Sequence, residues 1–217
     1  MPEIVTVPLS FVEVTFEFQR PNLDIWGTRA PIIQALFDAL HPWNPNIDEI
    51  EIISAGKLSE QGFVIKLPLK RAALFFGPAY CRFSRDAVDW NLAAETLEIF
   101  RTGTSAYAQL SGAVISKIRT VIGIHIQPQT MPFIELLNPL IVPQLKALES
   151  APLRTMAVIA KWDNRKVTLD GSASLANGLF LKFERDFEGS TILENLAEQL
   201  MQDEQQLFET LGVKEDR

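Results

Sequence analysis

A chain of 217 residues that is 47% hydrophobic and 22% charged has enough apolar side chain to bury a core and too little charge for disorder. Its formal charge of −7 opposes a polyanion-binding role, because binding to phosphates is driven by Lys and Arg that displace counterions. Met1-Pro2-Glu3 leads into a strand-like stretch without a basic leader, no apolar run is long enough for a bilayer, and Cys81 is the single cysteine. These features predict a cytoplasmic protein in a reducing compartment, with neither membrane nor nucleic acid as partner.

The first element is a strand. From Val12 to Gln19, Val12, Val14, Phe16 and Phe18 alternate with Glu13, Thr15, Glu17 and Gln19, the pattern of a half-buried strand. Thr28 is placed to cap a helix carrying Ile33, Leu36, Phe37 and Leu40, with Pro31 in its tolerant first turn and His41-Pro42 at its end. Short β-favouring runs follow at 50–53, 63–67, 72–76 and 80–84, separated by glycines and prolines as in a meander of hairpins. Asp86 and Asp89 resemble a capping pair for a long helix with Val88, Leu92, Thr96, Ile99, Phe100, Tyr107 and Leu110, which Gly103 could kink.

The order then repeats. Ile118, Thr120, Ile122, Ile124 and Ile126 share one strand face, opposite Arg119, Val121, Gly123, His125 and Gln127. This strand can be laid on the first in register. Pro139 and Pro143 break 133–148 into short helical pieces. A hairpin about Asp163-Asn164 joins 154–162 to 166–175, and Asn177-Gly178 reads as a two-residue turn into 179–187. Thr191 and Glu194 form a capping box for a last helix with Leu193, Leu196, Ala197, Leu200, Leu207 and Leu211. Gly212 stops it, and the residues beyond are expected to fray.

The expected fold is therefore α+β: a single domain, 1–217, of two β-α-β(3-4)-α pseudo-repeats, about 1–113 and 114–217. Its sheet would be largely antiparallel and curved, with the long helices on one face. This order resembles the duplicated TATA-binding-protein-like folds and, more loosely, the helix-grip fold of birch-allergen-like proteins. In the duplicated fold the first strands of the two halves lie side by side, which would make neighbours of the faces carrying Glu13, Glu17, Arg119 and His125. Val12-Glu13-Val14, Trp90 and the strand 118–126 also resemble a sporadically distributed bacterial family of uncharacterised proteins. That resemblance implies no catalytic residues.

Candidate chemistry is sparse. The sequence holds no Gly-rich cofactor fingerprint, no metal-ligand spacing and no nucleophile motif, so neither cofactor nor metal is expected. Of the two histidines, His41 falls at a helix C-terminus, where the macrodipole favours an imidazolium. His125 lies on the polar face of a central strand. Glu13 with Glu17, and Glu184 with Asp186 and Glu188, share strand faces as carboxylate chemistry requires. A wet sheet face carries such charges anyway, and Arg82, Lys66, Arg119 and Lys182 supply cross-strand partners. Cys81 shares parity with Phe83 and should face the core. Trp26 and Trp43 bracket the first helix and could line a pocket mouth or an interface.

The leading expectation is a non-enzymatic binding protein that associates with another protein or with itself, through Trp26, Trp43, Arg119, His125, Glu13 and Glu17. The alternative is a small apolar ligand held between the sheet and a long helix, suggested by Phe63, Phe75, Phe76, Phe83 and Phe183. A third reading is an enzyme using His125 with Glu13 or Glu17.

Overall fold

Strand alternation organises the protein. The computed structural model describes residues 2–23, 25, 29–54, 56–87, 93–140, 157–189 and 194–216. It is α+β, with a large, mainly antiparallel sheet and, among the described residues, four α-helices. The strands are β1 (Glu3–Phe18), β2 (Ile50–Ile53), β3 (Gly62–Leu67), β4 (Ala72–Phe76), β5 (Tyr80–Asp86), β6 (Ile115–Pro128), β7 (Val158–Lys161), β8 (Arg165–Gly171), β9 (Leu179–Glu188) and β10 (Val213–Glu215). The helices are α1 (Arg29–Ala39), α2 (Ala93–Ser111), α3 (Phe133–Leu137) and α4 (Leu196–Leu211).

Two compact units share these elements, one of Phe11–Thr120 with Asp186–Gln199, the other of Met1–Ser10, Val121–Arg185 and Leu200–Arg217. The long strands β1 and β6 contribute to both. In the first unit the strand order is β2-β3-β4-β5-β1-β6, and β2 to β5 form the expected meander of antiparallel neighbours. Val12, Val14, Phe16 and Phe18 of β1 are all buried, with Glu13, Thr15 and Glu17 on the wetter face. The period-2 reading is therefore met residue by residue.

On the apolar face of this unit, α2 packs its aromatic side chains. Phe100 meets Phe83 at 5.6 Å between centroids, and Tyr107 meets Phe76 at 5.5 Å. The buried Tyr107 hydroxyl donates to the Gly77 carbonyl at 3.0 Å, and its pKa is pushed up by burial. Burying each such ring contributes about 1.5–3 kcal/mol. Gly103 lies within one continuous helix, and a Cβ there would come within 2.8 Å of Leu74 Cδ2. Its role is close approach of helix to sheet. Cys81 is fully buried, as its parity predicts, and burial raises its thiol well above the ordinary value.

The first helix buries Ile32, Leu36 and Leu40, an i, i+4, i+8 stripe that leaves Ile33 and Phe37 half-buried. It gives way to a 3₁₀ turn at His41–Trp43, where Asn44 takes a left-handed conformation at φ 55°. The expected cap Thr28, the Asp89 half of the capping pair, Trp90 and Thr191 lie outside the described residues.

In the second unit the order is β1-β6-β9-β8-β7, with β10 beside β1. Of the β6 face expected to be apolar, Ile122, Ile124 and Ile126 are buried here, and Ile118 and Thr120 are buried in the first unit. The described part of 133–148 is the short α3 followed by a 3₁₀ turn at Asn138–Leu140, consistent with the breaks required by proline. The hairpin about Asp163-Asn164 forms between β7 and β8.

Two expectations are corrected. Asn177-Gly178 does not close a two-residue hairpin: β8 ends at Gly171, opposite Leu179, and residues 172–178 form the loop. Ser172 organises it, accepting the backbone N–H groups of Ser174 and Leu175 on its Oγ, a local bond that competes with strand extension. A Cβ at Gly178 would lie 2.5 Å from that of Leu175, so the glycine serves this tight loop. Nor do the residues after Gly212 fray. Gly212 turns the chain at φ 65°, and β10 pairs in parallel with β1, Glu3 opposite Val213 and Val5 opposite Glu215. Asp216 N–H then donates to the Val5 carbonyl at 2.9 Å, and Val213 is 6% exposed.

Removing residues 213–217 should therefore lower the unfolding free energy by about 2–4 kcal/mol, from lost apolar burial and lost backbone bonds. Urea unfolding of the truncated chain reads this directly; an unchanged midpoint would mean that the terminus frays.

Candidate functional site

Alternation in the hairpin β7–β8 and in β9 puts apolar residues on one face in matched cross-strand pairs. Val158 opposes Leu169, Ala160 opposes Val167, and Val167 opposes Phe183. Leu169, Leu181 and Phe183 are buried, yet Val158, Ala160 and Val167 are only half-buried. They line a cavity of about 550 Å³ whose opposite wall is the last part of α4, including Leu207 and Leu211. Trp162, Asn164, Arg165, Gln206 and Thr210 supply its polar lining, and none of the described lining residues is acidic. A cavity of this size and lining is in the range that holds a small organic ligand.

The helix forming that wall buries Leu196, Leu200, Leu207, Phe208 and Leu211. Where the apolar stripe should continue between Leu200 and Leu207 stand Asp203 and Glu204, both buried. Asp203 accepts a 2.8 Å hydrogen bond from Arg185 Nη1, with the two side chains 2% and 13% exposed. Such a pair gains little net stability, but loss of one partner strands a buried charge.

An analogous arrangement occurs in the first unit. Arg85, 7% exposed on the side of β5 that carries Cys81 and Phe83, donates to Thr96 Oγ1 and pairs with Glu95 at 3.2 Å. Lys70 also binds Glu95, and its hydrogen bond, with the two cationic charges, holds the Glu95 carboxyl below its ordinary range. Neither Arg85 nor Arg185 stood out in the sequence as functional. The signal was present: Arg82-Phe83-Ser84-Arg85-Asp86 and Lys182-Phe183-Glu184-Arg185-Asp186 repeat one pattern. In each, parity places an arginine on the apolar face.

The residues picked out from the sequence are dispersed. Glu13 lies 3.9 Å from Arg82 Nε across the β1–β5 pair. Glu17 contributes its backbone carbonyl to a 3.2 Å bond from Ser116 Oγ. Arg119 and Lys117 both bind Asp186, at 2.8 and 2.7 Å. Burial alone would raise the Asp186 carboxyl, but those two partners outweigh it and hold it low. Glu184 behaves alike between Lys166 and Lys182, and Glu51 is bound by Lys66. The expected basic partners therefore occupy Glu13, Glu51, Glu184 and Asp186. Trp43 is half-buried in its 3₁₀ turn, and Trp26 lies outside the described residues.

His125 sits in the second unit, Nδ1 2.8 Å from Ser172 Oγ and its ring 4.7 Å from that of Phe180. The Ser172 oxygen already accepts two backbone N–H groups, so its own proton points to Nδ1 and the neutral ring carries hydrogen on Nε2. This arrangement fixes the loop; a serine with its lone pairs so engaged is a poor nucleophile. Among the described residues no group of three or more His, Cys, Asp or Glu could hold a metal ion, and no helix is long and apolar enough to cross a membrane. Comparison of the sequence with models of protein families and with curated proteins gives no match.

Asp203→Ala should cost about 3–5 kcal/mol in urea unfolding, and replacing both partners, Arg185→Met with Asp203→Leu, should recover most of it. Equal losses in the single and double variants would refute a coupled pair. Burial lowers the His125 pKa below its ordinary 6.5, so the unfolded chain takes up the proton first. Stability from this group is complete above about pH 6.5 and declines as pH falls. His125→Gln should flatten the change in unfolding midpoint between pH 7.5 and 5.5, leaving the steeper loss below about pH 4.5 from Glu3, Glu95, Glu184 and Asp186, whose folded pKa values are lowered. An unaltered slope would remove His125 from the pH response.

Proposed function

We propose that this protein is a non-enzymatic cytoplasmic binder of a small, largely apolar ligand, held between α4 and the β7–β9 hairpin face. The observation that carries this reading is the 550 Å³ cavity, walled by half-buried valine and alanine where closer packing would have buried them. A sheet packed to native density leaves no void of this size. The cavity is of the sheet-and-helix kind expected of the helix-grip alternative, and it displaces protein association as the preferred function. Its lining includes Leu140, the last described residue before 141–156, and Val158.

A second observation favours association. β7 ends the strand order, and Ile159 and Trp162 are 64% and 56% exposed. A sheet edge that no described strand covers, carrying apolar side chains, can pair with a second copy or with another protein. The pseudo-repeat also belongs to this reading: both halves run strand, helix, strands, helix, and each places an arginine before its last long helix, Arg85 for Glu95 and Arg185 for Asp203.

Native mass spectrometry of gently purified protein should show a bound mass of a few hundred daltons that organic extraction removes. Straight-chain alcohols should then bind about fourfold more tightly per added methylene until the cavity is filled. Protein that carries no ligand and binds no member of the series, with 141–156 occupying the cavity in a crystal structure, would overturn the proposal.

A further inference from the structure

We infer that the ligand is an amphiphile with an anionic head, a carboxylate on an aliphatic chain, and that Arg165 is its anchor. This inference rests on the cavity being a ligand site. Three arginines stand on the apolar side of the described strands: Arg85, Arg165 and Arg185. Arg85 has Glu95 and Arg185 has Asp203. Arg165, half-buried and lining the cavity, has no ion-pair partner for its guanidinium among the described residues. Its register neighbour across the sheet is Arg185, and like charges directly opposite one another destabilise a sheet. Asp203 neutralises one of the two; the other awaits an anion.

The surrounding chemistry agrees. Asn164, Gln206 and Thr210 are neutral hydrogen-bonding groups, and Trp162 adds an amphipathic ring, so among the described lining residues the only charge is positive. With a net charge of −7, the long-range field of the protein repels anions and draws none in. Preference for an anion must then come from contact, where a fork of N–H donors matches a carboxylate bidentately. Exposed charges beyond about 8 Å are screened at physiological salt, which leaves the local guanidinium in control. The aliphatic tail would run along Val158, Ala160, Val167 and Leu207, which offer no polar atom beyond the backbone.

Isothermal titration of the delipidated full chain with dodecanoate and with 1-dodecanol, both below micelle-forming concentrations, tests this. Dodecanoate should bind at least about tenfold more tightly, the usual effect of a hydrogen bond to a charged group, and only its affinity should fall as salt is raised. Arg165→Gln should bring dodecanoate to the level of the alcohol without changing alcohol binding, and Arg165→Lys should restore part of the preference. Thermal unfolding of both variants checks that the fold is kept. Equal affinity and equal salt dependence for acid and alcohol in the unaltered protein would overturn the anionic-head inference and leave the cavity reading standing. Failure of both ligands to bind would overturn the two together.

Discussion

A cation placed on the apolar side of a sheet must be compensated, and this requirement links the sheet to its helices. An uncompensated buried charge costs several kcal/mol, comparable with the whole stability of a domain. In the first unit β5 places Arg85 among Cys81 and Phe83, and α2 answers with Glu95 and Thr96. In the second, β9 places Arg185 beyond Leu181 and Phe183, and α4 answers with Asp203. Each ion pair fixes the register of one helix against one strand, which apolar packing alone specifies only loosely. The acidic interruption in the otherwise leucine-rich stripe of α4 thus has a structural purpose.

The wetter faces of the strands have a different economy. In the first unit Glu13, Glu51 and Asp186 meet Arg82, Lys66, Arg119 and Lys117 across strands; in the second, Glu184 meets Lys166 across the β8–β9 pair and Lys182 on its own strand. Half-exposed pairs of this kind contribute little individually. Their consequence is mainly exclusionary: Glu13, Glu184 and Asp186 are engaged by basic partners, and His125 is committed to Ser172 and Phe180. Among the described residues, the cavity under α4 combines half-buried apolar lining with the guanidinium of Arg165, which has no ion-pair partner there, and the functional reading rests on that combination.

Period-2 patterns made most of the fold legible. Val12 to Phe18 have the burial that their alternation predicts, because a strand with one buried face allows a single register. Ile118 to Ile126 bury the expected apolar face, but Val121 and Gly123 on the other face are buried as well. The signals that misled were local ones overridden by tertiary pairing. Asn177-Gly178 is a good two-residue turn in isolation, but Ser172 captures the backbone of its own loop. The chain beyond Gly212 carries no strand signal of its own and is ordered by β1. The cavity was illegible for a different reason. Sequence pattern assigns a residue to a face; it does not say whether a helix closes down fully on that face. Arg165 could have been placed on the apolar face by parity with Val167 and Leu169, but its lack of a partner needed coordinates.

The central claim is that the space between α4 and the β7–β9 face is a ligand site. Methyl-resolved NMR of the isotopically labelled full chain during titration with dodecanoate addresses it most directly. The methyl groups of Val158, Val167, Leu207 and Leu211 should shift together and saturably and give intermolecular contacts to the alkyl chain, while Val14, Leu74 and Ile99 stay in place. Shifts confined to the latter group, or none at any of these methyls, would contradict the account.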